Sequence, residues 1–230
     1  MTISTLIDKQ DNVEIIRDQI AGILAIEFAS QKVLAHAAGK NPDGWDMGAY
    51  LERSNPWEQV QNTQARQAPI VNVWWDNSDF DMKASNVVDR QKSTATFNVD
   101  CYGFAQSADN PAGGHIPGDR QAAMEAARAV RLVRNILMAA EYTYLGLRGV
   151  VWRRWARGIT VFQPQQESAA AQQVVGARLA FSVEFNELSP QVASETLEFV
   201  SVSVTHSSNG ELVAQGEPGA GNFIINYDYT

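Results

Sequence analysis

Three short stretches of the sequence carry side chains that could do chemistry. VVWRRWARGITVF, residues 150–162, holds two tryptophans and three arginines, which could grip nucleic acid, line a catalytic pocket or contact another protein. DNSDFD, residues 76–81, offers three carboxylates to a hard cation. GGHIPGD, residues 113–119, could present backbone N–H groups to a phosphate at the start of a helix.

The acidic and glycine-rich stretches do not complete a ligand-binding motif. DNSDFD lacks the turn glycine and closing glutamate of a calcium loop, so an acidic connection between strands is the simpler interpretation. Asp119 would put a negative charge where a bound phosphate should lie, which favours a helix-capping role for this residue. The sequence has no phosphate loop, paired-histidine motif or nucleophile elbow, and His36, His115 and His206 have no spacing that suggests a shared metal. We therefore expect no enzymatic activity, cofactor or metal.

Composition and charge narrow the choice of partner. The formal net charge of −8 repels phosphate and gives no steering toward nucleic acid or an anionic membrane. Residues 146–188 nevertheless carry three acids and five bases, whereas residues 189–230 carry five acids and no Lys or Arg. The single cysteine, Cys101, excludes an internal disulfide. The N-terminus lacks a signal-peptide pattern, and the longest apolar run is far shorter than a membrane span, so we expect synthesis in the cytoplasm and no membrane.

Apolar periodicity predicts two helices. Asp11 and Glu14 resemble a capping pair in front of a 3.6-residue repeat, which predicts a long helix at 11–37. The second helix is expected at 119–142, where small and branched apolar residues cluster on one side and arginines lie on the other.

Strand patterns alternate with the helices. Strands are predicted near 70–76 and 93–104 before the second helix, and at 150–162 and 174–188 after it. This order predicts an α+β fold in which two helices pack on a small, mostly antiparallel sheet. We assign residues 1–188 to this domain, with an excursion at 39–68, and residues 189–230 to an acidic, β-rich C-terminal arm.

The arginine–tryptophan stretch suits a protein partner best. In a regular strand, Val151, Arg153, Trp155, Arg157 and Ile159 would face one side, with the intervening residues on the other. Both faces would mix apolar and cationic groups, which fits neither a core nor a fully solvated face. Three arginines in a chain with a net charge of −8 would bind phosphate groups only weakly. Arginine and tryptophan are, however, enriched among the hot spots of protein interfaces. The alternative is that these long side chains only cover a sheet edge.

The acidic arm of a neighbouring copy is one candidate partner for this strand. The arm ends in apolar, strand-forming residues that are unusual in a solvated tail. The predicted subunit or partner interface comprises Trp152, Arg153, Arg154, Trp155, Arg157, Phe223, Ile225 and Tyr227.

The order of elements over residues 11–188 resembles that of phage tail terminator (tail completion) proteins. The likeness rests on the long N-terminal helix, two strands, a helix entered through PGDRQAAMEAARAVRLVRNIL, and then VVWRRWARGITVF and VVGARLAFSVEFNEL. It is one of pattern, because that family has no catalytic motif to match. The excursion at 39–68 and the C-terminal arm go beyond the minimal pattern of the family.

The resemblance implies a structural virion protein of the tail or neck. Its expected partners are further copies of itself in a ring, commonly a hexamer, the tail tube protein, the head–neck connector and a sheath protein, with DNA passing through the lumen without sequence-specific binding. The alternatives are another neck, tail-tube or sheath-associated protein, a metal- or nucleotide-binding module that uses residues 76–81 or 113–118, and a nucleic-acid-binding accessory protein.

Overall fold

The computed structural model describes residues 6–58, 68–81, 90–109, 114–164, 173–188, 203–206 and 212–215. Backbone contacts divide the chain into two units, Met1–Ser189 and Pro190–Thr230. The first unit contains both helices and a five-stranded sheet, and the predicted α+β fold is confirmed.

Helix α1 spans Asn12–Ala37, close to its predicted range. The backbone N–H of Asp11 donates to the Glu14 carboxylate at 3.0 Å, which satisfies a donor at the start of the helix. Ile16, Ile20 and Leu24 recur at helical spacing and are fully buried. The capping and the apolar repeat therefore determine where this helix begins and which face it buries.

Helix α2 spans Gly118–Leu137, so the predictions of a helix to 142 and of capping by Asp119 are wrong. Pro117 occupies the N-cap position, and Asp119 lies inside the first turn, where its carboxylate accepts from the backbone of Arg120. The helix ends because the backbone of Ala139 is extended; a short 3₁₀ helix follows at Ala140–Tyr142.

The five-stranded sheet has the order β1-β2-β3-β7-β6. Its strands are β1 (Gly48–Leu51), β2 (Ile70–Phe80), β3 (Arg90–Ala105), β6 (Val151–Phe162) and β7 (Gln173–Leu188). β1 runs parallel to β2, and every other neighbouring pair is antiparallel. Two-residue strands β4 (Ala108–Asp109) and β5 (His115–Ile116) form a separate ribbon.

The structure corrects the description of two segments. The excursion at 39–68 contains a 3₁₀ helix at Pro42–Trp45 and strand β1, which pairs with β2; β1 had no sequence signal because it has only four residues. DNSDFD is not a connection between strands, since residues 76–80 belong to β2 and continue its pairing with β3.

Both helices pack on the same face of the sheet. Apolar side chains of α1, α2 and the helix-side rows of β2, β3 and β7 form one buried cluster. Phe97 of β3 and Phe181 of β7 are cross-strand partners in this cluster, and both are fully buried. Cys101 lies in the same row, as its position in the alternation predicted, and burial raises the pKa of its thiol. Neither α1 nor α2 packs on the opposite side of the sheet, which we call the helix-free face with reference to these two helices alone.

Helix α1 is long and apolar enough, by length and composition, to cross a membrane. The core helices of globular domains meet the same description. In this fold Ile16, Ile20, Leu24 and Phe28 of α1 are buried among side chains of the domain, whereas Ile26, Val33 and Leu34 are exposed.

The second unit contributes strands β8 (Ser203–His206) and β9 (Leu212–Gln215), which pair antiparallel. Val204 of the predicted β-rich arm lies in β8. Phe223, Ile225 and Tyr227 lie outside the described residues.

Gly103 of β3 lies directly against the backbone of α2, and this contact yields a stability prediction. A Cβ at this position would lie 2.5 Å from the amide nitrogen of Ala126 and also against the backbone of Ala122. Gly103→Ala should therefore lower the free energy of unfolding by about 1–3 kcal/mol, because backbone cannot move aside cheaply. Gly22→Ala is the control: a Cβ there meets nothing within 4 Å, so this variant should gain about 0.5–1 kcal/mol. Equal stabilities in urea denaturation would contradict this packing.

Candidate functional site

The arginine–tryptophan stretch forms β6, an edge strand of the sheet. β6 has twelve residues and pairs with β7 on its inner side. Within the described part of the first unit, no strand pairs with its outer side. An unpaired row of N–H and C=O groups is a ready template for another chain.

Two β-bulges in β6 overturn the predicted division of its side chains. They lie between Val151 and Arg153 and between Ala156 and Gly158. Because a bulge adds one residue without a partner, it switches the faces of all residues that follow. Arg153 and Trp155 therefore share the helix-free face with their partners on β7, whereas Val151, Arg154, Ala156 and Ile159 share the helix side.

Arg153 is held in place by a buried carboxylate. Its guanidinium pairs with Glu184 of β7 at 2.9 Å, and Lys92 of β3 pairs with the other carboxylate oxygen at 2.9 Å. The Arg153 side chain is still 70% exposed, and its guanidinium carbon lies 5.9 Å from the centroid of the Trp155 ring. One side of Arg153 is thus anchored while most of its surface faces outward.

The other two arginines of β6 are also engaged. Arg157 is exposed and donates to the Thr96 hydroxyl at 3.3 Å. Arg154 is partly buried on the helix side and donates to the carbonyl of Ala139 just beyond α2. Its Nε is buried and has no hydrogen-bond partner among the described residues, and burial lowers the pKa of this guanidinium. These three arginines do not form an open row for binding successive phosphates.

Large apolar side chains are exposed along the same edge. Trp152 is 54% exposed, Ile159 46% and Val161 65%. Tryptophan and arginine side by side are typical of interface anchors. Five of the eight predicted interface residues thus lie on this edge strand, with Arg154 the least accessible of the arginines; the remaining three are the C-terminal residues outside the described ranges.

A polar cluster missed by the sequence analysis lies on the helix-free face. Asp100 of β3 is 2% exposed and accepts two bonds from Arg178 of β7, at 2.6 and 2.9 Å. Trp74 Nε1 donates to the same carboxylate at 3.0 Å, and the Tyr102 hydroxyl donates at 3.3 Å. Burial and the nearby Asp100 carboxylate raise the pKa of Tyr102, so its hydroxyl remains a donor.

Aromatic rings complete this cluster. The Arg178 guanidinium carbon lies 4.8 Å from the Trp74 ring centroid and 5.3 Å from that of Phe162. Tyr102 meets Phe162 edge to face at 5.9 Å and also contacts Trp57. A buried carboxylate with a bidentate arginine and two indole or phenol donors is a satisfied network, so we assign the cluster to closing a sheet face that neither α1 nor α2 covers. The alternation of apolar and polar residues along β3 is consistent with Asp100 on this face, but no pattern in the sequence indicates that it pairs with Arg178.

The remaining candidate groups do not come together. In the parts of the chain that the structure describes, no three His, Cys, Asp or Glu side chains lie close enough to hold a metal ion. Asp76 and Asp79 are exposed on β2, and Asp81 follows the strand. Asp76 is close enough to Arg178 to raise the pKa of that guanidinium, after Asp100 as the main cause.

Removing the buried carboxylate tests the cluster. Asp100→Ala should cost about 3–5 kcal/mol of unfolding free energy, because it leaves the partly buried Arg178 without its counter-charge. The exposed Asp43→Ala is the matched control and should change stability by less than about 0.5 kcal/mol. Chemical denaturation followed by tryptophan fluorescence measures both, and a small loss for Asp100→Ala would show that the cluster contributes little.

The ion pairs of Glu184 predict that the stability of the fold depends on pH. Burial alone would raise the pKa of Glu184, but bonds from Lys92 and Arg153 outweigh burial, and the pKa is lowered. The ionised carboxylate therefore stabilises the fold above the ordinary glutamate pKa of about 4.3, and this stabilisation is lost as the pH falls through the lowered value. Glu184→Gln should thus reduce the melting temperature at pH 7, and the gap to the wild type should close in acid. A gap independent of pH would contradict the ion pairs.

Comparison with known proteins identifies no family for this chain. A scan against protein-family models finds no match to the chain. A search of curated proteins likewise finds no matching protein. The function must therefore be inferred from the residues, contacts and charges of the chain itself.

Proposed function

We propose that this protein is a structural subunit of a phage tail, which forms a ring that ends the tail tube and joins it to the head–neck complex. The observation that carries the proposal is the edge strand β6: twelve residues long, unpaired on its outer side within the described part of the first unit, and bearing exposed Trp152, Arg153 and Arg157. A strand of this kind offers its unpaired backbone groups to a protein partner.

The architecture supports the same proposal. Two helices on one face of a small sheet agree with the resemblance to tail terminator proteins. The helices leave both ends of the sheet free for lateral contacts, and subunits that join through two different surfaces close into rings when the rotation between copies allows it. We expect a hexamer.

The charge of the molecule suits a ring that DNA must pass through. A net charge of −8 disfavours retention of DNA in the lumen. The arginines of β6 do not offset this, because Arg153 is paired with Glu184 and Arg154 is partly buried. The tail tube protein, the head–neck connector and a sheath protein are the proposed partners, and the virion is the proposed location.

The proposal predicts assembly that depends on concentration and needs no ligand. Analytical ultracentrifugation of the full chain should show an oligomer that dissociates on dilution, and electron microscopy should show rings, free or at the ends of isolated tail tubes. Steep salt-dependent retention of DNA, or a melting temperature that rises when a metal or nucleotide is added, would favour the alternative classes. A monomer at every concentration that also fails to bind tail tubes would overturn the proposal.

The C-terminal segment provides a second test. Residues 190–230 form a separate unit with five acids and no Lys or Arg, so we expect their deletion to leave a folded domain with an unchanged melting transition. We predict that the truncated protein assembles or docks on tails less well than the full chain, because the segment contacts a neighbouring subunit, the tail tube or the sheath. Assembly and tail completion at the wild-type level would contradict this role.

A further inference from the structure

The end of the sheet opposite β6 also has an unpaired edge. β1 pairs only with residues 70–73 of β2, so residues 76–80 extend past it. We call residues 76–80 the β2 overhang. No described strand pairs with its outer side, and its Phe80 is 49% exposed. The described part of the first unit therefore offers two unpaired edges, one at each end of the sheet.

The two edges carry opposite charges. The overhang and the residue that follows it contain Asp76, Asp79 and Asp81 and no base, whereas β6 contains three arginines and no acid. Like charges on directly opposed strands are destabilising, so two β6 edges repel each other, as do two overhangs. Charge thus disfavours a symmetric contact of either edge with itself and favours a contact between the two different edges.

The charged segments lie at the same level of the sheet. Asp79 is the cross-strand partner of Thr94, and Thr94 is the partner of Glu184. Glu184 is in turn the partner of Arg153. One row of cross-strand partners therefore runs across the sheet from the acidic edge to the basic edge. In a neighbouring copy placed beside the first without a shift along the strands, the first part of β6 would lie along the overhang, with Arg153 next to Asp79. Residues 159–162 would lie at the level of β1, so the pairing is confined to residues 151–157, before the end of the second bulge.

Strand direction permits the same contact. β2, β3, β7 and β6 alternate in direction across the sheet, so β2 and β6 run in opposite directions. A second copy in the same orientation would place its β2 antiparallel to β6 of the first. The sheet would then continue across the contact with antiparallel pairing at each step.

We propose that residues 151–157 of β6 in one copy pair head-to-tail with the β2 overhang of the next copy, so that Arg153 and Arg157 face Asp76 and Asp79 of the neighbour. This inference rests on the ring proposed above and specifies the contact that builds it. Trp152 of one copy and Phe80 of the next supply apolar surface at the same junction. Because the two surfaces differ, the contact is heterologous. Such contacts form a closed ring when the rotation between successive copies brings the last subunit against the first.

Charge reversal on each edge tests the pairing. The basic-edge variant is Arg153→Glu/Arg157→Glu, and the acidic-edge variant is Asp76→Arg/Asp79→Arg. Each alone places like charges across every contact, so we expect the concentration at half-assembly to rise at least about tenfold, equal to about 1.4 kcal/mol per contact. An equimolar mixture should assemble again, because each altered edge then meets an oppositely charged edge, and native mass spectrometry should show the two variants in equal numbers.

Matched controls separate the effect of charge at the two edges from the effect of net charge on assembly. Arg120→Glu/Arg131→Glu reverses two exposed arginines on α2, and Asp43→Arg/Glu141→Arg reverses two exposed acids away from the edges. Both pairs should assemble like the wild type. A thermal melt of every variant checks folding, since Arg153→Glu places two carboxylates together at Glu184.

A cysteine pair gives a readout that does not depend on charge. Asp79→Cys/Arg153→Cys should form disulfides between copies on mild oxidation, giving a ladder of covalent oligomers on a non-reducing gel. The native Cys101 is buried and its pKa is raised, so the wild type provides the background. Either single variant should stop at dimers.

The outcomes distinguish this contact from the ring itself. If wild-type rings form but both edge variants assemble normally and the cysteine pair gives no ladder, the contact is wrong and the ring stands. If only the basic-edge variant fails and mixing does not rescue it, β6 binds another occupant, such as the acidic segment 190–230 of a second copy, and the proposed pairing is overturned. If the wild type never assembles, the proposed function fails first.

Discussion

The outermost strand of a sheet carries backbone donors and acceptors that its own sheet cannot pair, and this constraint governs the surface of the first unit. Within the described residues the sheet ends in β6 on one side and in β1 and the β2 overhang on the other. Helices α1 and α2 do not relieve the constraint, because both pack on one face of the sheet. The proposed function depends on which chain pairs with the backbone groups of these two edges.

The interior of the sheet keeps the two edges rigid and distinct. On the helix side, apolar rows of β3 and β7 pack against α1 and α2. On the helix-free face, Asp100 and Arg178 form a buried ion pair with hydrogen bonds to Trp74 and Tyr102. Glu184 anchors Arg153 from the neighbouring strand, which lowers the entropy that Arg153 would lose on binding.

Much of the fold was predictable from periodicity, because long helices and half-buried strands leave strong repeats in the sequence. The ends of α1, β6 and β7 fall within one residue of their predicted positions. Short or irregular features had no such signal: four-residue β1 is defined by pairing with β2, and the bulges that reverse the faces of β6 arise from its pairing with β7. Residues 150–162 stood out by composition, whereas their relation to Asp79 appears only when four strands are aligned in register.

Hydrogen–deuterium exchange of the full chain, below and above the concentration at which it assembles, tests most directly whether the edges of the sheet build the oligomer. If β6 pairs with the overhang of the next copy, peptides covering 151–158 and 76–80 should both exchange more slowly in the assembled protein, by about tenfold or more for outward-facing amides. Peptides from the exposed face of α2 should not change. Equal exchange of both edge peptides in the dispersed and assembled protein would contradict the account.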